Sequence, residues 1–92
     1  MLYMVEMTVD MPPDLATETA QALIVAEREY AQELQRQGKW RHLWRVTGRY
    51  ANVSIFDVES HDALHETLTR LPLWPYLKIN VTPLSKHPSS ID

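Results

Sequence analysis

Between Pro13 and Gly38 the chain runs without a single glycine or proline, and Ala, Glu, Gln, Leu and Arg dominate the stretch. These are strong helix formers, so the segment reads as one long helix, entered from Pro12-Pro13 and closed by Gly38 at its C-terminal cap. In a chain of 92 residues such a helix leaves room for one domain and one core. The rest of the sequence must supply the surface on which it packs.

That surface is β-sheet. From Leu2 to Val9 the residues Tyr3, Val5, Met7 and Val9 recur at every second position, the period of a half-buried strand. Lys39 to Thr47 alternates again, with Trp40, His42, Trp44 and Val46 on one side and Arg41, Leu43, Arg45 and Thr47 on the other. Gly48-Arg49 turns the chain, and Tyr50 to Val58 forms the returning strand of an antiparallel hairpin, with Tyr50, Asn52, Ser54 and Phe56 sharing a face. Ser60 is placed to cap a second helix carrying the stripe Ala63, Leu64, Leu68 and Leu71, which Pro72 and Pro75 end. Leu77 to Val81 supplies a fourth strand.

The order β-α-β-β-α-β predicts an α+β, ferredoxin-like fold: an antiparallel sheet with both helices on one face. Residues 1–84 make the domain. Residues 85–92 have no periodicity and form a C-terminal tail expected to dock on a neighbouring subunit. The other sheet face mixes aromatic and polar side chains and needs a subunit interface, a ligand, or both.

Composition narrows the function. The chain has no cysteine, which removes disulfides, thiolate metal sites and a cysteine nucleophile, and fits a reducing, cytoplasmic location. No apolar run approaches the length of a membrane span, and the N-terminus alternates, unlike a signal-peptide core. A net charge of −3 with nine dispersed Lys and Arg gives no footprint for nucleic acid. Two glycines cannot build a GxGxxG or P-loop, so nucleotide cofactors are unsupported. His61 and His65 lack a companion acid at metal-site spacing and read as a solvated i, i+4 pair on a helix surface, while His42 and His87 lie far off in sequence, so no metal is expected. Ser89 and Ser90 near His87 lack a nucleophile elbow.

One residue breaks the pattern of the long helix. Ala16, Ala20, Leu23, Ile24, Tyr30, Ala31 and Leu34 share one arc of the helical wheel, and Glu27 falls near its middle, whereas Glu18, Glu29 and Glu33 lie outside it. A carboxylate against apolar surface is destabilised in its charged form and needs either a partner or a task. Arg41 or Arg45 could be that partner. Alternatively Glu27 is a proton-transfer group lining a pocket between helix and sheet, where a raised pKa lets it both accept and return a proton, as an isomerase requires. Trp40, Trp44, Trp74, Tyr50 and Tyr76 read first as packing anchors. Arg41, Arg45 and Arg49 place positive charge near the aromatic hairpin, where it could attract a small carboxylate.

Four motifs taken together carry a resemblance. Lys39-Trp40-Arg41-His42-Leu43-Trp44-Arg45, then Tyr50-Ala51-Asn52 with Phe56-Asp57-Val58, then Leu71-Pro72-Leu73-Trp74-Pro75-Tyr76, and His87-Pro88-Ser89-Ser90-Ile91 resemble the muconolactone Δ-isomerase family, in the family's order and over nearly the whole chain. Trp74 stands where the family's motif carries Phe, a conservative exchange of aromatics.

The resemblance implies a cofactor-free isomerase of the β-ketoadipate pathway of catechol degradation, converting muconolactone to 3-oxoadipate enol-lactone. It also implies sheets associated face to face, as in dimeric α+β barrels, in a homo-oligomer that is typically a decamer. Glu27 is the candidate proton shuttle, with Tyr50 and Asn52 as donors to the developing oxyanion. Arg41 or His42 would hold the substrate's carboxymethyl group, and Trp74 and His87 are further substrate-binding candidates. Two other readings stay open: a chloromuconolactone dehalogenase-like enzyme, and a non-catalytic oligomeric module binding a small ligand.

Overall fold

In a computed structural model that describes residues 1–91, the elements run β1 (Leu2–Val9), α1 (Thr17–Arg36), β2 (Trp40–Arg45), β3 (Ala51–Asp57), α2 (His61–Thr69), a short 3-10 turn (Trp74–Tyr76) and β4 (Leu77–Leu84). The strands form one antiparallel sheet in the order β2-β3-β1-β4. This is the ferredoxin-like arrangement, with β1 and β3 inside and β2 and β4 at the edges.

The core lies between the sheet and both helices. Tyr3, Val5 and Met7 from β1 are buried, as their alternation requires, and meet Phe56 from β3, Ala31 and Leu34 from α1, and Leu64 and Leu68 from α2. The two helices are joined directly where the Tyr30 hydroxyl donates to the Thr67 carbonyl at 3.0 Å. Gly38 takes a positive φ of 77° after the last turn of α1. Its N–H and that of Lys39 return to the carbonyls of Gln35 and Leu34, satisfying the helix end as a Schellman-type cap does. Ser60 accepts the Ala63 N–H at 3.0 Å and so caps α2.

Two strands depart from the simple pattern. β4 continues to Leu84 instead of stopping near Val81, passing through Pro83. An edge strand tolerates this because proline's missing donor can face away from its single neighbour. In β2 the pairing slips by one residue: Trp40 opposes Phe56, but His42 opposes Ile55. A bulge at Arg41 absorbs the extra residue. The expectation that Trp40, His42 and Trp44 share a face is thereby corrected. Trp40 is buried on the helix side against Phe56, with ring centroids 4.6 Å apart. Beyond the bulge, Leu43 and Arg45 oppose Ser54 and Asn52 on that same side, whereas His42 and Trp44 oppose Ile55 and Val53 on the other.

Among the described residues no layer covers the outer sheet face. Trp44 is 55% exposed and stacks on His42 with centroids 5.0 Å apart. No helix of the described residues is long and apolar enough to cross a membrane.

Candidate active site

A cavity of about 370 Å³ opens between α1 and the β2–β3 end of the sheet, a size suited to a small ligand. α1 contributes Glu27 and Arg28, β2 contributes Trp40, Leu43 and Arg45, the hairpin contributes Tyr50 and Asn52, and Leu73 closes one side. The alternation of β3 sets Asn52 and Ser54 on the helix side. The β2 bulge brings Arg45 opposite Asn52.

Glu27 is half-buried on the inner arc of α1. Its Oε1 accepts the Leu73 backbone N–H at 3.1 Å. Burial pushes its carboxyl above the ordinary value of 4.5, and the Leu73 hydrogen bond opposes part of that rise. No salt bridge neutralises it among the described residues. A carboxyl so placed can take up a proton and give it back.

Around it the cavity supplies donors and positive charge. The Arg45 guanidinium sits over the Tyr50 ring, 5.3 Å from its centroid, a cation–π contact that orients both groups on the cavity wall. Asn52 Oδ1 accepts the Ser54 hydroxyl at 2.8 Å. The Trp40 indole N–H is shut off from solvent without an acceptor among the described residues. Such an orphan costs about 1–3 kcal/mol, less than burial of the large ring returns.

The sequence candidates fall into two groups. Glu27, Tyr50 and Asn52 come together on this cavity. Arg41, His42, Trp74 and His87 do not line it. Arg41 Nη1 lies 3.8 Å from Asp57 Oδ2 on the bulge. His42 is stacked on Trp44 outside the sheet. Trp74 sits edge-on to His65 at 6.3 Å, and the His87 ring accepts the Ser89 N–H at 3.0 Å in the tail. Arg28 lines the cavity without a signal in the sequence, and Arg45, which the sequence groups with Arg41 and Arg49 as positive charge near the hairpin, lines it where Arg41 does not, a distinction that an unbulged strand cannot make. Ser54 was placed on the correct face but given no task. His61 is exposed, as a solvated pair with His65 requires, and in addition hydrogen-bonds through Nδ1 to the hydroxyl of buried Tyr3. Among the described residues no three His, Asp or Glu side chains lie together as a metal site.

Known proteins share this architecture and most of its sequence. A family model described as muconolactone delta-isomerase matches residues 1–90. The chain is 58% identical over 91 residues to the muconolactone Δ-isomerase of Cupriavidus pinatubonensis, with 99% of each chain covered. It is 55% identical to that of Acinetobacter baylyi, covering 99% of this chain and 95% of the relative. A crystal structure of muconolactone isomerase superposes with a TM-score of 0.96 at 55% identity, covering 100% of this chain and 96% of that one. Matches of this extent, over nearly the whole chain, leave one assignment: the chain belongs to the muconolactone Δ-isomerase family.

Proposed function

We propose that the chain isomerises muconolactone to 3-oxoadipate enol-lactone, with Glu27 as the proton shuttle. The observation that carries this reading is a half-buried carboxyl of raised pKa, without a salt bridge among the described residues, on a cavity that also holds Arg45, Tyr50 and Asn52. The substrate is an unsaturated five-membered lactone with a carboxymethyl arm. Ionised Glu27 removes the proton from the ring carbon bearing that arm, and the C–H electron pair moves into the ring to give a dienolate. The same carboxyl then returns the proton to the carbon beside the lactone carbonyl, leaving the double bond moved by one position. Overall the atoms are unchanged and no electrons are lost, so the chemistry calls for no cofactor.

Negative charge gathers on the lactone oxygen as the first proton leaves. Hydrogen-bond donors fixed at that oxygen stabilise the transition state more than the ground state, and Tyr50 and Asn52 are the candidates. Arg45 is the anchor for the carboxymethyl group, in preference to Arg41 or His42, because it alone of the three lines the cavity. Trp74 and His87, outside this cavity, would reach substrate only from a neighbouring copy.

The uncovered sheet face supports self-association. Trp44, Val53 and Ile55 there suit burial against the same face of a second copy, and the decamer expected of the family would be built from such pairs. The domain of residues 1–84 would supply the sheet, and the tail from Ser85 would dock on a neighbouring subunit. A chain without cysteine is at home in the reducing cytoplasm, where we place it.

The decisive experiment is an ultraviolet assay of the purified protein with muconolactone, chelator present, and identification of the product by NMR. Conversion to the enol-lactone is expected. A folded oligomer that binds the lactone without turning it over would instead make this a binding module.

A further inference from the structure

Among the described residues Ser54 is the one buried residue of the polar and charged types, with none of its surface exposed, and the proton shuttle makes no use of it. It stands two residues from Asn52 on β3, so both side chains project to the helix side. Its single hydroxyl proton needs an acceptor in the dry interior, and Asn52 Oδ1 takes it at 2.8 Å. The oxygen and nitrogen of an amide diverge from one carbon. With Oδ1 held towards Ser54, the two N–H donors are left for the cavity that Asn52 lines.

We infer that Ser54 is a positioning residue, fixing the Asn52 amide so that it presents donors and not its carbonyl to the lactone oxygen. An amide free to rotate would spend part of its time with Oδ1 facing that oxygen, and an acceptor there repels the developing charge. Opposite it, Val5 on β1 fills the neighbouring register position and gives Ser54 no competing polar partner. The inference rests on the reading of Asn52 as an oxyanion donor.

The test is a double-mutant cycle in the assembled enzyme, using muconolactone as the probe. Asn52→Ala is expected to lower kcat by about 100-fold, the scale of losing one oxyanion donor. Ser54→Ala should lower kcat by about 10-fold with KM changed less than 2-fold, and Ser54→Cys, isosteric but a weaker donor, should fall between it and the wild type. In the Asn52→Ala background Ser54→Ala should have no further effect, because there is no amide left to orient. Equal losses in both backgrounds, or a Ser54→Ala enzyme with unchanged kcat beside an impaired Asn52→Ala, would overturn the role. If Asn52→Ala itself is fully active, the donor reading of Asn52 fails first and takes this inference with it. Thermal unfolding of Ser54→Cys, which keeps the side-chain volume, separates loss of orientation from loss of fold.

Discussion

The backbone N–H of Leu73 reaches across 3.1 Å to Glu27 Oε1, tying the middle of α1 to the turn that leads into β4. It donates to the ionised carboxylate and so limits how far burial can raise the pKa. It also fixes one oxygen, which in the proposed reaction leaves the other for the substrate. The Leu-Pro-Leu-Trp-Pro-Tyr segment thus contributes to the site through its main chain.

Glu27→Gln keeps the shape and the Leu73 contact but cannot carry a proton. Loss of general acid–base catalysis predicts a fall in kcat of about 10²- to 10⁴-fold with an intact oligomer. Steady-state kinetics beside light scattering checks it, and near-normal turnover by the folded variant removes Glu27 from the mechanism.

In the wild type, kcat/KM should climb with pH along a limb whose apparent pKa lies above the ordinary glutamate value of 4.5, because the shuttle must be ionised to begin and burial resists ionisation. A limb centred at or below 4.5 would show that Glu27 is not the group being titrated.

The same carboxyl makes stability depend on pH in a fixed direction. Its folded pKa is raised, so the folded state binds the proton more tightly than the unfolded chain does. The stabilisation is complete below pH 4.5 and is lost as pH rises through the higher folded value. Denaturant unfolding should therefore find Glu27→Gln at least as stable as wild type at pH 7, with that relative advantage shrinking at pH 4. A Gln variant that is distinctly weaker at pH 7 would contradict the strain assigned to this side chain.

Arg45 and Arg41 are four residues apart, yet only the first lines the cavity. Arg45→Met should raise KM by about 10- to 100-fold, the scale of a lost charge-assisted hydrogen bond, whereas Arg41→Met should change it less than about 2-fold. Reversal of that order in Michaelis–Menten measurements would return the anchor to the bulge.

Ile91 is fully exposed at the end of the tail. Truncation before Ser85 should lower the assembled mass or raise KM, read by analytical ultracentrifugation and kinetics on one preparation. A truncated chain unchanged in both would leave the tail without a task.

Much of this was legible in the sequence because the relevant signals are local. Alternation placed Tyr3, Val5 and Met7 inside, the run before Gly38 announced α1, and Ser60 marked the start of α2. Glu27 stood out because a charge on an apolar arc violates the helical pattern by itself. Arg45 did not, since its side of the sheet depends on a register slip that only the pairing of β2 with β3 decides. The Leu73 contact was invisible for a related reason: a main-chain donor leaves no mark in residue identity. His61 looked like half of an i, i+4 pair, and its hydrogen-bond partner, Tyr3, is 58 positions away.

The bulge at Arg41 works like a half-twist in a ribbon. Through it one short strand gives its odd residues Leu43 and Arg45 to the cavity and its even residues His42 and Trp44 to the outer face, while Trp40, also even, stays with the cavity side. Changes to either set can then accumulate independently, provided the number of residues between Trp40 and Arg45 is held. What related chains must keep along this strand is a spacing more than any identity, and a loss of one residue there would exchange the two roles in a single step.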